Sequence, residues 1–124
     1  MLLGLDYPRG VPELSDPEDQ KLVTLARATR ARTQAAEGAA LRDLDGRTYA
    51  AATVDLAHLQ VSAVGVALAM AVASGAAGVE AVVVLTDADA VAENDLAAVR
   101  DLGGEGVAVH RADPRGSVAE TLST

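Results

Sequence analysis

The sequence contains no cysteine, no phenylalanine and no tryptophan. The lack of cysteine excludes disulfide bonds and every metal site that depends on thiolate ligands. Because Tyr7 and Tyr49 are the only aromatic residues, the core has to be built from alanine, valine and leucine. Side chains this small fill an interior only when backbones approach closely, which favours helices packed tightly on a sheet.

Positive charge is also scarce. The 124 residues include 10 Lys and Arg against 18 Asp and Glu, so the formal net charge is −8. A chain this acidic repels nucleic-acid phosphates, and its one basic group is formed by Arg27, Arg30 and Arg32. We therefore expect no nucleic-acid partner. The first residues lack the basic start and apolar run of a signal peptide, which makes the cytoplasm the expected location.

The longest apolar run covers residues 61–79, where Ser62 and Ser74 carry the only polar side chains. About twenty uncharged residues are enough to cross a bilayer. The run is, however, mostly alanine, glycine and valine, and no Lys or Arg flanks it to orient a membrane span. A buried core helix is therefore preferred to a membrane helix, and we expect no membrane partner.

Residues 1–14 contain two prolines and two glycines, which predicts an irregular N-terminal arm. The remaining residues, 15–124, have the length of one domain. Ser15 or Asp16 can cap a first helix that has Pro17 in its first turn. We therefore expect an arm followed by one domain that opens with a helix.

Turn signals and hydrophobic patterns divide this domain into alternating elements. Asp45-Gly46 predicts a turn of the primed type in a β-hairpin over residues 41–53. The later segments predict a long buried helix over residues 55–74, a buried strand over 79–85 and an amphipathic helix over 92–102. A second strand follows over 106–110 and a short final helix over 117–122. The order α-β-β-α-β-α-β-α predicts an α/β fold with helices on both faces of a mixed sheet.

Several of these segments resemble the cytidine deaminase family. Residues 37–41 read EGAAL, similar to the VGAAL strand of that family, and residues 45–49 read DGRTY, similar to its DGR hairpin. Residues 53–55 read TVD, where the family has Asn-Val-Glu. The resemblance covers about residues 22–121 and implies a three-layer α-β-α cytidine deaminase-like fold. It also implies that Thr53 and Asp55 hold the ribose of a nucleoside.

The departures from the family pattern fall on its chemistry. Zinc deaminases use three His or Cys ligands to activate a water molecule and a glutamate to move its proton. Alignment from the end of the long helix places Ser62 at the first ligand and Val64 at the glutamate. Alignment from Asp55 forward places Val64 and Val66 at these positions instead. In both registers a valine replaces the catalytic carboxylate.

The other two ligands of the family come from a Pro-Cys-x-x-Cys motif, and here Ala92 and Asp95 stand at the cysteine positions. A hydroxyl, a methyl group and a carboxylate do not replace three thiolate or imidazole ligands. The sequence therefore predicts no metal, no cofactor and no catalytic residue at the sites that the family uses.

A rearranged site is the alternative. His58 lies one turn beyond Asp55 if both belong to the long helix, and together with Asp95 they could imitate a His/carboxylate metal set. An active nucleoside deaminase or other hydrolase would then remain possible. We instead interpret His58 as a partly exposed helix residue and His110 as a solvated residue at a strand end. The acidic residues after the buried strand are interpreted as turn formers and helix N-terminal charges; they are Asp87, Asp89, Glu93 and Asp95.

The leading hypothesis is a catalytically inactive deaminase-like protein that acts as a binding or oligomeric assembly module. Gly65, Ala69 and Ala73 recur every four residues and share one helix face, which suits close helix packing in a dimer or tetramer or against the sheet. A different protein partner that completes the site is a further interpretation. Ala35 and Ala36 stand where the family has an aromatic stacking residue, which argues against tight nucleoside binding.

Overall fold

The computed structural model describes residues 14–124. Three helices and seven strands follow one another in the order α1 (Pro17–Thr33), β1 (Gly38–Asp43), β2 (Thr48–Ala52), β3 (Val54–Leu56), β4 (Leu59–Val61), α2 (Ala63–Ala73), β5 (Val79–Leu85), α3 (Glu93–Gly103), β6 (Ala108–Ala112) and β7 (Val118–Ser123). The predicted N-terminal arm lies outside the described residues except for Leu14.

Five of the strands form one mixed sheet in the order β2-β1-β5-β6-β7. Strand β1 pairs antiparallel with both β2 and β5, strands β5 and β6 are parallel, and β7 closes the far edge antiparallel to β6. Strands β3 and β4 form a separate two-stranded hairpin. The predicted mixed sheet is confirmed.

Helices cover both faces of this sheet. Along β5, Val82 and Val84 belong to the core on the side of α2 and α3, whereas Val83 and Leu85 belong to the core on the side of α1. Successive side chains of a strand point to opposite faces, so the apolar run at residues 81–85 serves two cores. The α/β class and the three-layer α-β-α architecture are therefore confirmed.

The close approach of α1 to β1 explains the glycine in the EGAAL segment. A Cβ atom added to Gly38 would lie 2.5 Å from the carbonyl oxygen of Ala26 in α1. Asp16 caps this helix by accepting a hydrogen bond from the Glu18 backbone N–H at 2.8 Å. Of the two predicted capping residues, Ser15 and Asp16, the structure has Asp16, and the predicted first helix is confirmed.

The predicted long helix over residues 55–74 is wrong in its first part. The helix begins at Ala63, while the preceding residues form the β3–β4 hairpin, in which Val54 pairs with Val61 and Leu56 with Leu59. Apolar and polar residues alternate in both short strands, which is the period of a strand. None of the described helices combines the length and the hydropathy needed to cross a membrane.

The predicted helix over residues 117–122 is also wrong, because this segment is strand β7. It returns along β6, with Val118 opposite Ala112, after a turn in which Asp113 accepts hydrogen bonds from the backbone N–H groups of Arg115 and Ser117. Edge pairing outweighs local helix propensity here. Strand β5 has the predicted bounds, α3 is displaced by one residue and β6 by two.

The turn between β1 and β2 is not of the primed type. Gly46 has a φ of +86°, but Asp45 does not have a positive φ, and a type I′ turn needs both. The Asp43 carbonyl accepts a hydrogen bond from the Gly46 N–H at 3.1 Å, and the Asp43 N–H donates to the Arg47 carbonyl at 2.8 Å. This pattern is typical of a three-residue loop with a glycine bulge. The hairpin itself is confirmed.

Candidate functional site

The N-termini of α2 and α3 meet through one side-chain pair. Ser62 caps α2, and its Oγ accepts a hydrogen bond from Gly65 N–H at 3.0 Å. The same hydroxyl donates to Oδ1 of Asp95 at 2.7 Å. Asp95 is the third residue of α3 and is only 8% exposed. The fold thus joins two residues that are 33 positions apart in the sequence.

Val64 and Ala92, the other two positions predicted from the resemblance, bring no polar side chain to the N-termini of α2 and α3. Val64 is 1% exposed and belongs to the core on the α2 side of the sheet. Ala92 is exposed and stands immediately before α3, where it provides no side-chain hydrogen bond to the helix end. The side chains that face each other between the helices are therefore a hydroxyl and a carboxylate.

An open cavity of about 390 Å³ lies beside this pair. Its lining residues are Glu37, Thr53, Val54, Asp55, Gln60, Val61 and Ser62. The volume lies near the lower end of the range of about 300–1,000 Å³ that is usual for small-molecule sites, but the cavity is open to solvent rather than enclosed. Thr53 and Asp55, the residues predicted from the resemblance, both line the cavity together with Ser62.

Two threonines, Thr53 and Thr86, hold Glu37, which lines the cavity. Thr53 Oγ1 accepts a hydrogen bond from the Glu37 backbone N–H at 3.0 Å, and Thr53 N–H donates to the Glu37 carbonyl at 3.1 Å. Thr86, which is buried at the end of β5, donates from Oγ1 to Oε2 of Glu37 at 2.6 Å. The Glu37 side chain is therefore held in place from a residue 49 positions away.

Sequence reasoning missed Glu37 as a site residue. Its motif offered a signal, since EGAAL has a carboxylate where the similar family strand has valine. The pairing of Gly38 with Leu85 places Glu37 next to the end of β5. The signal for Glu37 was a charged residue at an apolar position of the motif, next to the end of a strand.

The residues of the site do not fit a zinc ion. Structural and catalytic zinc sites use at least three His, Cys, Asp or Glu ligands. No group of three or more such side chains that could hold a metal occurs among residues 14–124. Asp95 is engaged by Ser62, and Ala92 has no donor atom.

The proposed pairing of Asp55 and His58 on one helix face is wrong, because both lie in the β3–β4 hairpin. Asp55 is an exposed residue of β3, and His58 is an exposed residue of the turn that follows. Asp55 pairs across the hairpin with Gln60. The rearranged metal set with Asp95 has no support from this geometry.

A larger polar cluster lies outside the cavity, between α1 and the sheet. His110 is 5% exposed, and its Nε2 is 3.0 Å from Oδ2 of Asp19 in α1. Because a carboxylate only accepts, Nε2 carries a proton, and Nδ1 lies 2.8 Å from the Thr121 hydroxyl oxygen, with which it shares a hydrogen bond. The interpretation of His110 as a solvated residue at a strand end is therefore wrong.

Arg42 completes this cluster. Its guanidinium donates to Oδ1 of Asp19 at 2.8 Å and to Glu80. Burial alone would lower the pKa of Arg42, but the hydrogen bonds to Glu80 and Asp19 outweigh it and raise the pKa above its ordinary value. Nη1 of Arg42 is buried and has no hydrogen-bond partner within residues 14–124.

A buried carboxylate, Asp43, lies on the opposite face of β1. It accepts hydrogen bonds from the Tyr49 hydroxyl and from the backbone N–H groups of Asp45 and Arg47, each at 2.9 Å. Burial raises the pKa of Asp43, but these three donors outweigh it and lower the pKa below the ordinary 3.8. The hydrogen bond to Asp43 also raises the pKa of the Tyr49 phenol.

Comparison with known proteins gives a consistent result. The family model described as "Cytidine deaminase-like" matches residues 15–116. Solved structures of cytidine deaminases are similar in fold. The cytidine deaminase from Burkholderia pseudomallei has a TM-score of 0.73 and 24% identity, with 83% of this chain and 90% of that chain covered.

The cytidine deaminase from Mycobacterium leprae has a TM-score of 0.68 and 20% identity, with 87% of this chain and 94% of that chain covered. The cytidine deaminase from Mycobacterium tuberculosis has a TM-score of 0.65 and 17% identity, with 76% and 85% covered. No curated protein matches the chain in sequence. At these identities the solved structures establish a shared fold.

Proposed function

The chain belongs to the cytidine deaminase-like family, and we propose that it is a catalytically inactive relative that acts as a binding or oligomeric assembly module with a residual nucleoside pocket. One observation carries the proposal. Ser62 and Asp95, which meet at the N-termini of α2 and α3, are hydrogen-bonded to each other at 2.7 Å. The polar atoms at these two proposed ligand positions are engaged with each other.

The helix start supports one of the two registers. Ser62 immediately precedes α2 and reaches Asp95, whereas Val64 is packed in the core. We therefore assign the first ligand position to Ser62 and the glutamate position to Val64. A zinc ion would supply an activated water molecule, but a hydroxyl, a carboxylate and a methyl group do not fit its ligand requirements. The buried isopropyl group of Val64 has no proton to transfer.

Thr53 and Asp55 support the nucleoside part of the proposal, because both line the cavity beside Ser62. Carboxylate and hydroxyl oxygens suit the hydroxyl groups of a ribose. Ala35 and Ala36 offer no aromatic ring on which a base could stack. We therefore propose weak binding of a nucleoside without turnover.

An exposed apolar surface supports the assembly part. Four of the five exposed large apolar side chains of residues 14–124 belong to the β3–β4 hairpin and α2, namely Leu56 (61%), Leu59 (53%), Met70 (40%) and Val72 (57%). Ala69 and Ala73 on α2 are exposed rather than packed on the sheet. Exposed apolar side chains on a helix and on the hairpin that precedes it in the chain fit an association surface. We propose that a second copy of the chain covers it, in a dimer or a larger homo-oligomer.

Light scattering of a Leu56→Ser, Leu59→Ser variant tests the assembly. We expect the parent protein to be an oligomer and this variant to have a lower mass. Leu44→Ser is the matched control, since Leu44 is 62% exposed but lies in the β1–β2 turn. A monomeric parent protein would remove the assembly part of the proposal.

An absorbance assay with cytidine tests the lack of catalysis. The cytidine deaminase from Burkholderia pseudomallei serves as the positive control. We expect no change in cytidine absorbance with this chain, with or without added zinc. Turnover that depends on added zinc and persists in a Ser62→Ala variant would contradict both the inactivity and the assignment of Ser62.

Restoring thiolates tests the register. A variant with Ser62→Cys, Ala92→Cys and Asp95→Cys should bind one Co²⁺ per chain and show thiolate-to-metal absorption. The control variant carries Val64→Cys in place of Ser62→Cys, with the other two changes kept. Equal metal binding by both variants, or binding by the control alone, would contradict the proposed register.

A further inference from the structure

We propose that the cavity selects nucleosides whose base carries a positive charge, and that Glu37 is the residue that selects them. The inference rests on the nucleoside pocket of the proposed function and adds the class of ligand. A ring-methylated nucleoside such as 3-methylcytidine, whose base is cationic near neutral pH, belongs to this class.

The charge of the cavity is the first argument. Glu37 and Asp55 provide its two ionisable side chains, and neither Lys, Arg nor His is among its lining residues. A phosphate group would meet two carboxylates and no compensating cation. The cavity therefore disfavours nucleotides and favours a neutral or positively charged ligand.

The hydrogen-bonding state of the lining is the second argument. The Ser62 hydroxyl proton is committed to Asp95, and the Thr53 hydroxyl lies 3.3 Å from the Glu37 carbonyl to which it donates. The carboxylates accept but do not donate. Apart from the Gln60 amide, which can also donate, the side-chain groups left for a ligand are acceptors, so the lining favours a ligand that brings N–H or O–H donors.

The position of Glu37 is the third argument. One of its carboxylate oxygens, Oε2, is fixed by Thr86, which also accepts from the Ala88 N–H at 3.0 Å and is itself buried. If Thr53 and Asp55 take the ribose, the Glu37 carboxylate is left for the base. This carboxylate stands where the similar family strand has valine, so the preference belongs to this chain.

Isothermal titration calorimetry near neutral pH separates the ligand classes. The titrants are 3-methylcytidine, cytidine and cytidine 5′-monophosphate. A charge-assisted hydrogen bond should make 3-methylcytidine bind about tenfold more tightly than cytidine. The monophosphate should bind most weakly of the three.

Two variants test whether Glu37 causes the preference for 3-methylcytidine over cytidine. Glu37→Gln keeps the shape of the side chain and should remove the preference for 3-methylcytidine. Glu105→Gln removes the same charge from an exposed residue between α3 and β6 and should leave the preference intact. Loss of the preference in both variants, or in neither, would contradict the role of Glu37.

The outcomes also separate this inference from the proposed function. Equal binding of cytidine and 3-methylcytidine would overturn the inference and leave the nucleoside pocket in place. Failure of all three titrants to bind would overturn both the pocket and the inference. Turnover of cytidine would overturn the inactivity alone.

Discussion

The two ends of the five-stranded sheet use their polar side chains differently. At the end where β5 finishes and α2 and α3 begin, Ser62 is paired with Asp95, and an open cavity lies beside them. At the other end, Asp19 and His110 bond to each other between α1 and the sheet and are largely buried. The polar groups at the far end link α1 to the sheet, whereas those at the cavity end lie beside an open cavity.

Breaking the far-end cluster should have the largest effect. Arg42→Met removes the guanidinium from the largely buried carboxylate of Asp19 and leaves it only the contact with His110, and removing one partner of a buried pair costs about 3–5 kcal/mol. The free energy of unfolding, measured with urea, should fall by an amount of this order.

Arg27→Met is the control for this comparison, because Arg27 is an exposed residue of α1. It should change the free energy of unfolding by less than about 0.5 kcal/mol. Similar losses in the two variants would show that the cluster adds no stability beyond that of an exposed arginine.

Breaking the cavity-end pair should have a smaller effect. Ser62→Ala removes the cap of α2 and one hydrogen bond to Asp95, and losses of this kind cost about 1–2 kcal/mol. Ser74→Ala changes an exposed serine at the other end of α2 and should cost much less. Urea unfolding of the two variants measures the difference, and equal stabilities would contradict the role of the pair.

The smallest expected effect is on the pH dependence of stability. The pKa of Asp43 is lowered in the folded state, so its contribution is present above the ordinary value of 3.8 and is lost as the pH falls through the lower folded value. Asp43→Asn should therefore flatten the loss of stability in acid.

Urea midpoints recorded from neutral pH to below 3.8 would show this change. Asp45→Asn, in the exposed part of the same turn, is the control. Asp43→Asn should still lose some stability in acid, because a second carboxylate has a lowered pKa. This is Asp113, whose pKa is lowered by backbone hydrogen bonds, above all by the one from Ser117. An unchanged slope in Asp43→Asn would contradict the assignment.

The core strands and the first helix could be predicted because their signals are local. Asp16 caps its own helix, and residues 81–85 form a continuous apolar run within β5. The β3–β4 hairpin was missed because its alternation lasts only three residues on each side. Local composition then favoured joining it to the apolar helix that follows.

The candidate site was harder to predict because its contacts are not local. Glu37 is held by a residue 49 positions away, and His110 bonds to Asp19 at a separation of 91 positions. No periodicity within the sequence shows such partners. Ser62 and Asp95 could be proposed only through the resemblance, which indicated that the two helix starts face each other.

The zinc content of the purified protein tests the central proposal most directly. The chain should be expressed in medium supplemented with zinc, purified without chelators and analysed by elemental mass spectrometry. We predict zinc at the background level, because Ser62 and Asp95 are bonded to each other and Ala92 has no donor atom. One zinc ion per chain, lost in a Ser62→Ala, Asp95→Ala variant that remains folded, would contradict it.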